Sequence, residues 1–285
     1  MPVCTMAQLK KRNLLIQISV QIKKGEFVKI ILIIFFGMLF LKDTTAGVKT
    51  ETVEYKQGNI ILEGYLAYDE GLIGKRPGVL VVHDWLGISA ATRKRAEQLA
   101  ELGYVVLAAD IYGKGIRPAN AQEAQTEAMK YYKDRKLLRD RVRAGLDFLS
   151  SQTMVDTARL SVIGYCFGGA GALELARSGA PLKGIVTFHG SLSTPTPDDA
   201  KNIRGKVLVL HGADDPFVKQ ADVTAFMDEM RKGGVDWQLV QYGGAVHSFT
   251  DMRAGSDNTK GGAYNEAADR RSWQAMKYFL MEVFQ

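Results

Sequence analysis

Two side chains in this 285-residue sequence can supply a thiolate nucleophile, Cys4 and Cys166. Cys166 stands in Gly164-Tyr165-Cys166-Phe167-Gly168, after the apolar run Leu160–Ile163 and before the helix-forming stretch Gly169–Arg177. Strand, sharp turn and helix in that order are what a nucleophile elbow of the G-x-S-x-G type requires, here with a thiol in place of the hydroxyl. The flanking glycines are needed because neighbouring Cβ atoms would collide in so tight a turn. The positive end of the helix favours the thiolate. A cysteine at a Gly-rich turn can also be an inert buried hydrophobe, but paired glycines in this setting favour the nucleophile.

A thiol nucleophile needs a base. The chain has four histidines, His83, His189, His211 and His247. With the order nucleophile, acid, histidine, only His247 lies beyond the candidate acids, in the loop Gly243–Phe249. His189 and His211 end apolar runs and are expected to satisfy backbone groups. Asp214 and Asp215 both follow the run ending at Leu210. One of them should orient His247 and stabilise its imidazolium; spacing leaves the choice open, and the other caps a turn or faces solvent.

These residues must be positioned by a regular scaffold. Thr52–Asp69 alternates around Gly58-Asn59 and reads as a hairpin at a sheet edge. Gly78–His83, Tyr104–Asp110, Leu160–Ile163, Gly184–Gly190, Lys206–Gly212 and Asp236–Tyr242 are short apolar runs. Helical stretches at Ala90–Leu102, Asn120–Ser150 (one or two helices), Gly169–Arg177, Lys219–Lys232 and Gly262–Phe284 separate them. Strands apolar on both faces, alternating with helices, imply an α/β domain: a mostly parallel, twisted sheet with helices on both faces. No linker or repeat interrupts residues 47–285, which are expected to form a single domain.

Composition is that of a globular protein, with 46% hydrophobic and 24% charged residues. The net charge of +6 is concentrated: residues 1–46 carry seven basic and two acidic side chains, leaving 30 basic and 29 acidic in the remainder. A nucleic-acid partner is not expected for a body so evenly balanced. Two cysteines exclude a disulfide framework and a multi-thiolate zinc site, and no metal site is expected. Ile30–Leu41 is an uncharged run of 12 residues, short for a span of roughly 20 but suited to a secretory signal. Lys29 precedes it, and small residues follow, with cleavage expected after Ala46. The expected location is therefore secreted or periplasmic, with no stable membrane span once the leader is removed. A true start at Val28, encoded as GTG, gives a signal of 19 residues; another codon there than GTG or TTG would refute it. The alternative for the leader is an uncleaved amphipathic anchor.

Together, Gly164–Gly169, His211-Gly212-Ala213-Asp214-Asp215-Pro216-Phe217-Val218 and His247-Ser248-Phe249 resemble the dienelactone hydrolase family, over roughly Thr52 to Phe284. The resemblance implies the α/β-hydrolase fold, no cofactor, and a Cys166, Asp215, His247 triad, since the family's aspartate immediately precedes the x-F-V segment. It also implies an oxyanion hole of backbone N–H groups from Trp85 and Phe167. Two departures bear on substrate. The family's founding members carry a glutamate near the thiol where this chain has Asp84, whose other role is a loop cap. They also hold a substrate carboxylate with two arginines, which align with Lys114 and Asp251. Lys114 and Tyr112, in Asp110–Lys114, and Arg253 are the candidate substrate contacts, Arg253 having surface solvation as its alternative. Leu86–Ser89, Gly113–Asn120 and Asp251–Gly262 are the loops expected to line the pocket.

The function expected is hydrolysis of an activated ester or lactone through an acyl-thioester, on a small-molecule substrate. A peptidase or acyltransferase on the same scaffold is one alternative, and a non-catalytic secreted binding protein is another. A redox-sensing thiol is disfavoured because Cys166 has no resolving partner in the body.

Overall fold

The computed structural model describes residues 47–285. The expected leader, its start at Val28 and its cleavage after Ala46 lie outside the described residues. Among the described residues, no helix is long and apolar enough to cross a membrane.

Eight strands form one sheet: β1 (Val48–Gln57), β2 (Ile60–Asp69), β3 (Arg76–Val82), β4 (Val105–Ala109), β5 (Val155–Tyr165), β6 (Gly184–Phe188), β7 (Lys206–Gly212) and β8 (Trp237–Tyr242). Their order is β1-β2-β4-β3-β5-β6-β7-β8. The hairpin β1–β2 adds antiparallel to β4, and every pairing from β4 across to β8 is parallel.

Residues of the central strands are buried on both faces, and their side chains divide by parity. Leu80, Val82, Leu107, Leu160, Val162, Val207 and Val209 enter one core. Val79, Val81, Val106, Ile163, Val186, Leu208 and Leu210 enter the other. Successive strand residues point to opposite faces, so a run of uniformly apolar residues feeds two cores at once. Helices α2 (Ala121–Lys133), α3 (Arg135–Ser151), α4 (Phe167–Arg177) and α5 (Gln220–Gly233) cover the first face. Helices α1 (Ala90–Ala100) and α6 (Glu266–Val283) cover the second.

Helix ends follow local chemistry. Asp134 separates α2 from α3 and caps α3, accepting the Leu137 N–H, so the stretch 120–150 is two helices. The last helix starts at Glu266, later than its composition suggests. Its N-cap is Asn265, and the preceding Gly261–Ala263 is held elsewhere. His247 N–H donates to Gly261 O, and Ala263 N–H donates to His247 O.

Helix α4, which follows the nucleophile candidate, is anchored by charge inside the fold. Arg177 is fully buried, and its guanidinium bonds Glu229, Glu174 and the Leu192 carbonyl. Glu174 also receives Arg139. Each carboxylate here is partnered, which is what a charge away from water requires.

Candidate active site

Parallel strands deliver their C-terminal ends to one edge of the sheet, where ligands of open α/β folds bind. β3 leads into Asp84 and Trp85, β5 into Cys166, β6 into His189, β7 into Asp215, and β8 into the loop carrying His247.

The elbow at Cys166 is a matter of backbone clearance. A Cβ on Gly164 would lie 2.0 Å from Gly168 O, and one on Gly168 would lie 2.2 Å from Val82 O. No side chain fits at either position. Cys166 itself has φ 53°, a conformation that costs a non-glycine residue of order 1–3 kcal/mol. It is held there by its N–H on Phe188 O and by its carbonyl, which accepts the Gly169 N–H.

His247 Nε2 lies 3.0 Å from Cys166 Sγ, and Nδ1 lies 2.7 Å from Asp215 Oδ2. Asp215 Oδ1 accepts the N–H groups of Phe217 and Val218, so the carboxylate is fixed from both oxygens. The structure therefore separates the two aspartates: Asp214 is exposed and takes the Gly244 N–H. Burial disfavours the His247 cation, but the charge on Cys166 and the hydrogen bond to Asp215 outweigh it and raise the imidazole to about 10. The imidazole thus stands between the sulfur and the carboxyl group, within reach of both.

The amides of Trp85 and Phe167 donate to no protein acceptor among the described residues. Both flank Cys166, one in the loop after β3 and one at the start of α4. The Trp85 loop is held by three contacts. The Tyr112 hydroxyl donates to Trp85 O, Asp84 Oδ1 accepts the Leu86 N–H, and His83 Nδ1 donates to Asp84 O. His83 is fully buried and accepts the Ile111 N–H at Nε2, and burial holds it neutral. Sequence reasoning gave His83 no role; a histidine ending a strand beside a second strand end was the available signal.

Of the candidate substrate contacts, the structure brings only Arg253 to the site. Its guanidinium bonds Asp84 at 2.9 Å and Asp251 at 2.8 Å. Two carboxylates on one cation leave no positive charge to spare. Burial raises the pKa of Asp84, opposed by the Leu86 N–H and Arg253. Tyr112 is a correction: it is 2% exposed and packed against Phe167, a support beneath the site. Lys114 is another: it points to the surface and pairs with Glu54.

A cleft of about 690 Å³ opens over Cys166 and His247. It is lined by Trp85, Leu86, Tyr132, Phe217 and Val218, and by Asp251, Arg253, Ala254, Lys260 and Gly262. The loop Gly113–Asn120 does not contribute, contrary to expectation; Tyr132 at the end of α2 and Phe217 after β7 occupy the walls instead. A second, small chamber of about 40 Å³ lies beside Cys166. His189 borders it, with Nε2 2.8 Å from Thr250 Oγ1. Burial and repulsion from His247 keep His189 neutral. His189 thus bonds a hydroxyl through Nε2, while His211 Nδ1, expected to satisfy a backbone group, has no partner among the described residues.

A mostly parallel sheet with an elbow after β5, an acid after β7 and a histidine after β8 defines an α/β hydrolase. The chain belongs to the dienelactone hydrolase family, whose model matches residues 62–284, and it is a carboxylic ester hydrolase of that type. It is 44% identical to the solved structure named m3DLH, with TM-score 0.81, covering 84% of this chain and 100% of that one. It is equally 44% identical to a dienelactone hydrolase-like promiscuous phosphotriesterase from metagenomic libraries, at TM-score 0.80 and the same coverage. A Synechocystis protein named as a carboxymethylenebutenolidase is 27% identical over 82% of this chain and 96% of its own length.

Because the elbow leaves no room for a methyl group, Gly164→Ala should destabilise the fold by about 3 kcal/mol or more. Thermal unfolding against the parent reads this directly; an unchanged midpoint would contradict the clearance argument.

Proposed function

We propose that this chain hydrolyses activated esters or lactones without a cofactor, through an acyl-thioester on Cys166. The observation that carries this reading is the continuous contact from Cys166 Sγ through His247 to Asp215, at 3.0 Å and 2.7 Å. The thiolate attacks the carbonyl carbon, and the oxyanion forms between the free N–H groups of Trp85 and Phe167. His247 protonates the departing oxygen and then takes a proton from water, which cleaves the thioester. Asp215 holds Nδ1 and balances the imidazolium.

A thiolate leaves as readily as it attacks, so the tetrahedral adduct reverts unless the departing group is comparably good. Enol lactones, aryl esters and short acyl esters meet that condition, and amides do not. The commitment of Arg253 to Asp84 and Asp251 supports a neutral substrate over a lactone acid. We also propose that residues 1–46 export the protein to the periplasm or beyond and are removed after Ala46.

Hydrolysis of p-nitrophenyl acetate by the parent, Cys166→Ala and Cys166→Ser tests the mechanism. The alanine variant should lose about a thousandfold or more in kcat, and mass spectrometry should find an acyl adduct on Cys166 of the parent. Equal rates in all three would refute the thioester route.

Acylation requires a protonated His247, and its imidazole is raised to about 10. The rate should therefore persist through neutral pH and fall as pH rises through about 10. In Asp215→Asn that alkaline limb should move to lower pH, because a support of the cation is gone; a limb that does not move would argue against the coupling.

Intact-mass analysis of the protein secreted by a bacterial host should give an N-terminus at Gly47. A retained leader would argue for the anchor instead.

A further inference from the structure

We propose that His83 is a positioning residue for the reaction: its imidazole orients and polarises the peptide group that presents the Trp85 N–H to the oxyanion. This rests on the hydrolase reading above, which gives that N–H its task, and adds the side chain that holds it there.

The partners of His83 locate its proton. The Ile111 N–H donates to Nε2 at 3.2 Å, so Nε2 presents a lone pair. Burial keeps the ring neutral, which leaves its one proton on Nδ1, 2.6 Å from Asp84 O. Asp84 O and the Trp85 N–H are the two ends of a single peptide group. That group is trans, since no cis bond occurs among the described residues, and in a trans peptide the C=O and the N–H point in opposite directions. A bond that fixes the oxygen therefore fixes the line along which the N–H points. It also draws electrons toward the oxygen and makes the N–H a stronger donor. The other bond to Asp84 O comes from the Gly87 N–H and is longer, at 3.3 Å.

The remaining contacts of the ring converge on the same group. Its centroid lies 4.8 Å from that of Tyr112, edge to face, and the Tyr112 hydroxyl holds Trp85 O, the next carbonyl along. The ring also stacks on Phe167 at 6.1 Å, the residue that supplies the second N–H. One buried side chain thus touches both donor residues, while its two hydrogen bonds go to Asp84 and Ile111 and none to Cys166 or His247.

The two bonds have separable roles. The one at Nε2 joins the end of β3 to the segment after β4 and is structural. The one at Nδ1 reaches the reaction through the Trp85 amide. Glutamine places an amide oxygen near the position of Nε2 and keeps only the first bond. Asparagine places an amide N–H near the position of Nδ1 and keeps only the second.

His83→Gln and His83→Asn in the full chain test this with p-nitrophenyl acetate and with iodoacetamide. Alkylation, followed on the Cys166 peptide by mass spectrometry, needs the thiol and His247 but no oxyanion. In His83→Gln, kcat should fall about a hundredfold, the lower end of what loss of an oxyanion donor costs. Its KM should stay within about threefold and its alkylation rate within about twofold of the parent. His83→Asn should unfold at a lower temperature, because the Ile111 N–H loses its acceptor, yet keep kcat within about fivefold. Parent-like kcat in His83→Gln would overturn the proposal, as would an alkylation rate that falls in step with kcat. A hundredfold loss in His83→Asn would overturn it as well, and decides the matter alone if His83→Gln does not fold. A parent that turns over no ester and forms no adduct on Cys166 would instead overturn the hydrolase reading itself.

Discussion

The contact between His247 Nε2 and Cys166 Sγ depends on two loops that are 81 residues apart in sequence meeting at 3.0 Å. Neither loop achieves this alone. The elbow is fixed by strand β5, helix α4 and the clearance between Gly164 and Gly168. The histidine loop is fixed at its back by the paired backbone of Gly261–Ala263 and at its front by Asp215. The sheet supplies the frame: with strands buried on both faces, a one-residue slip of β5 against its neighbours β3 and β6 would carry buried side chains to the wrong face.

Electrostatics around that contact are arranged in alternation. The imidazole of His247 stands between the sulfur of Cys166 and the carboxyl group of Asp215. The large cleft on one side of the sulfur carries the aromatic rings of Trp85, Tyr132 and Phe217, and His189 borders the smaller space on the other. Arg253, which could have been the anchor for an anionic substrate, instead bridges the loop after β3 to the loop after His247. That charge joins two walls of the cleft.

Much of this was legible in the sequence because burial on both faces writes itself as uninterrupted apolar runs. The elbow was legible because sterics demand glycines at fixed positions. The choice of Asp215 over Asp214 was not legible from spacing, since adjacent residues differ only in the direction they face; the family resemblance carried that choice. Tyr112 and Lys114 were misjudged for a related reason. Both sit in one loop, but Asp110 accepts the N–H groups of Tyr112 and Gly113, turning the tyrosine inward and the lysine outward. The small chamber had no sequence signature, because its walls come from five separate segments and exist only once the sheet has assembled.

The steric logic of the elbow has an evolutionary consequence. Gly164 and Gly168 are constrained by backbone atoms less than 2.3 Å from where a side chain would begin, whereas Cys166, midway between them, borders a cavity on each side of its sulfur. The scaffold is thus strict about the neighbours of Cys166 and permissive at Cys166 itself. A thiol and a hydroxyl occupy the same turn, so one atom can be exchanged without repacking anything. Within such a lineage, reactivity can drift between good and poor leaving groups on an unchanged backbone, and the protein's chemistry can diversify faster than its architecture.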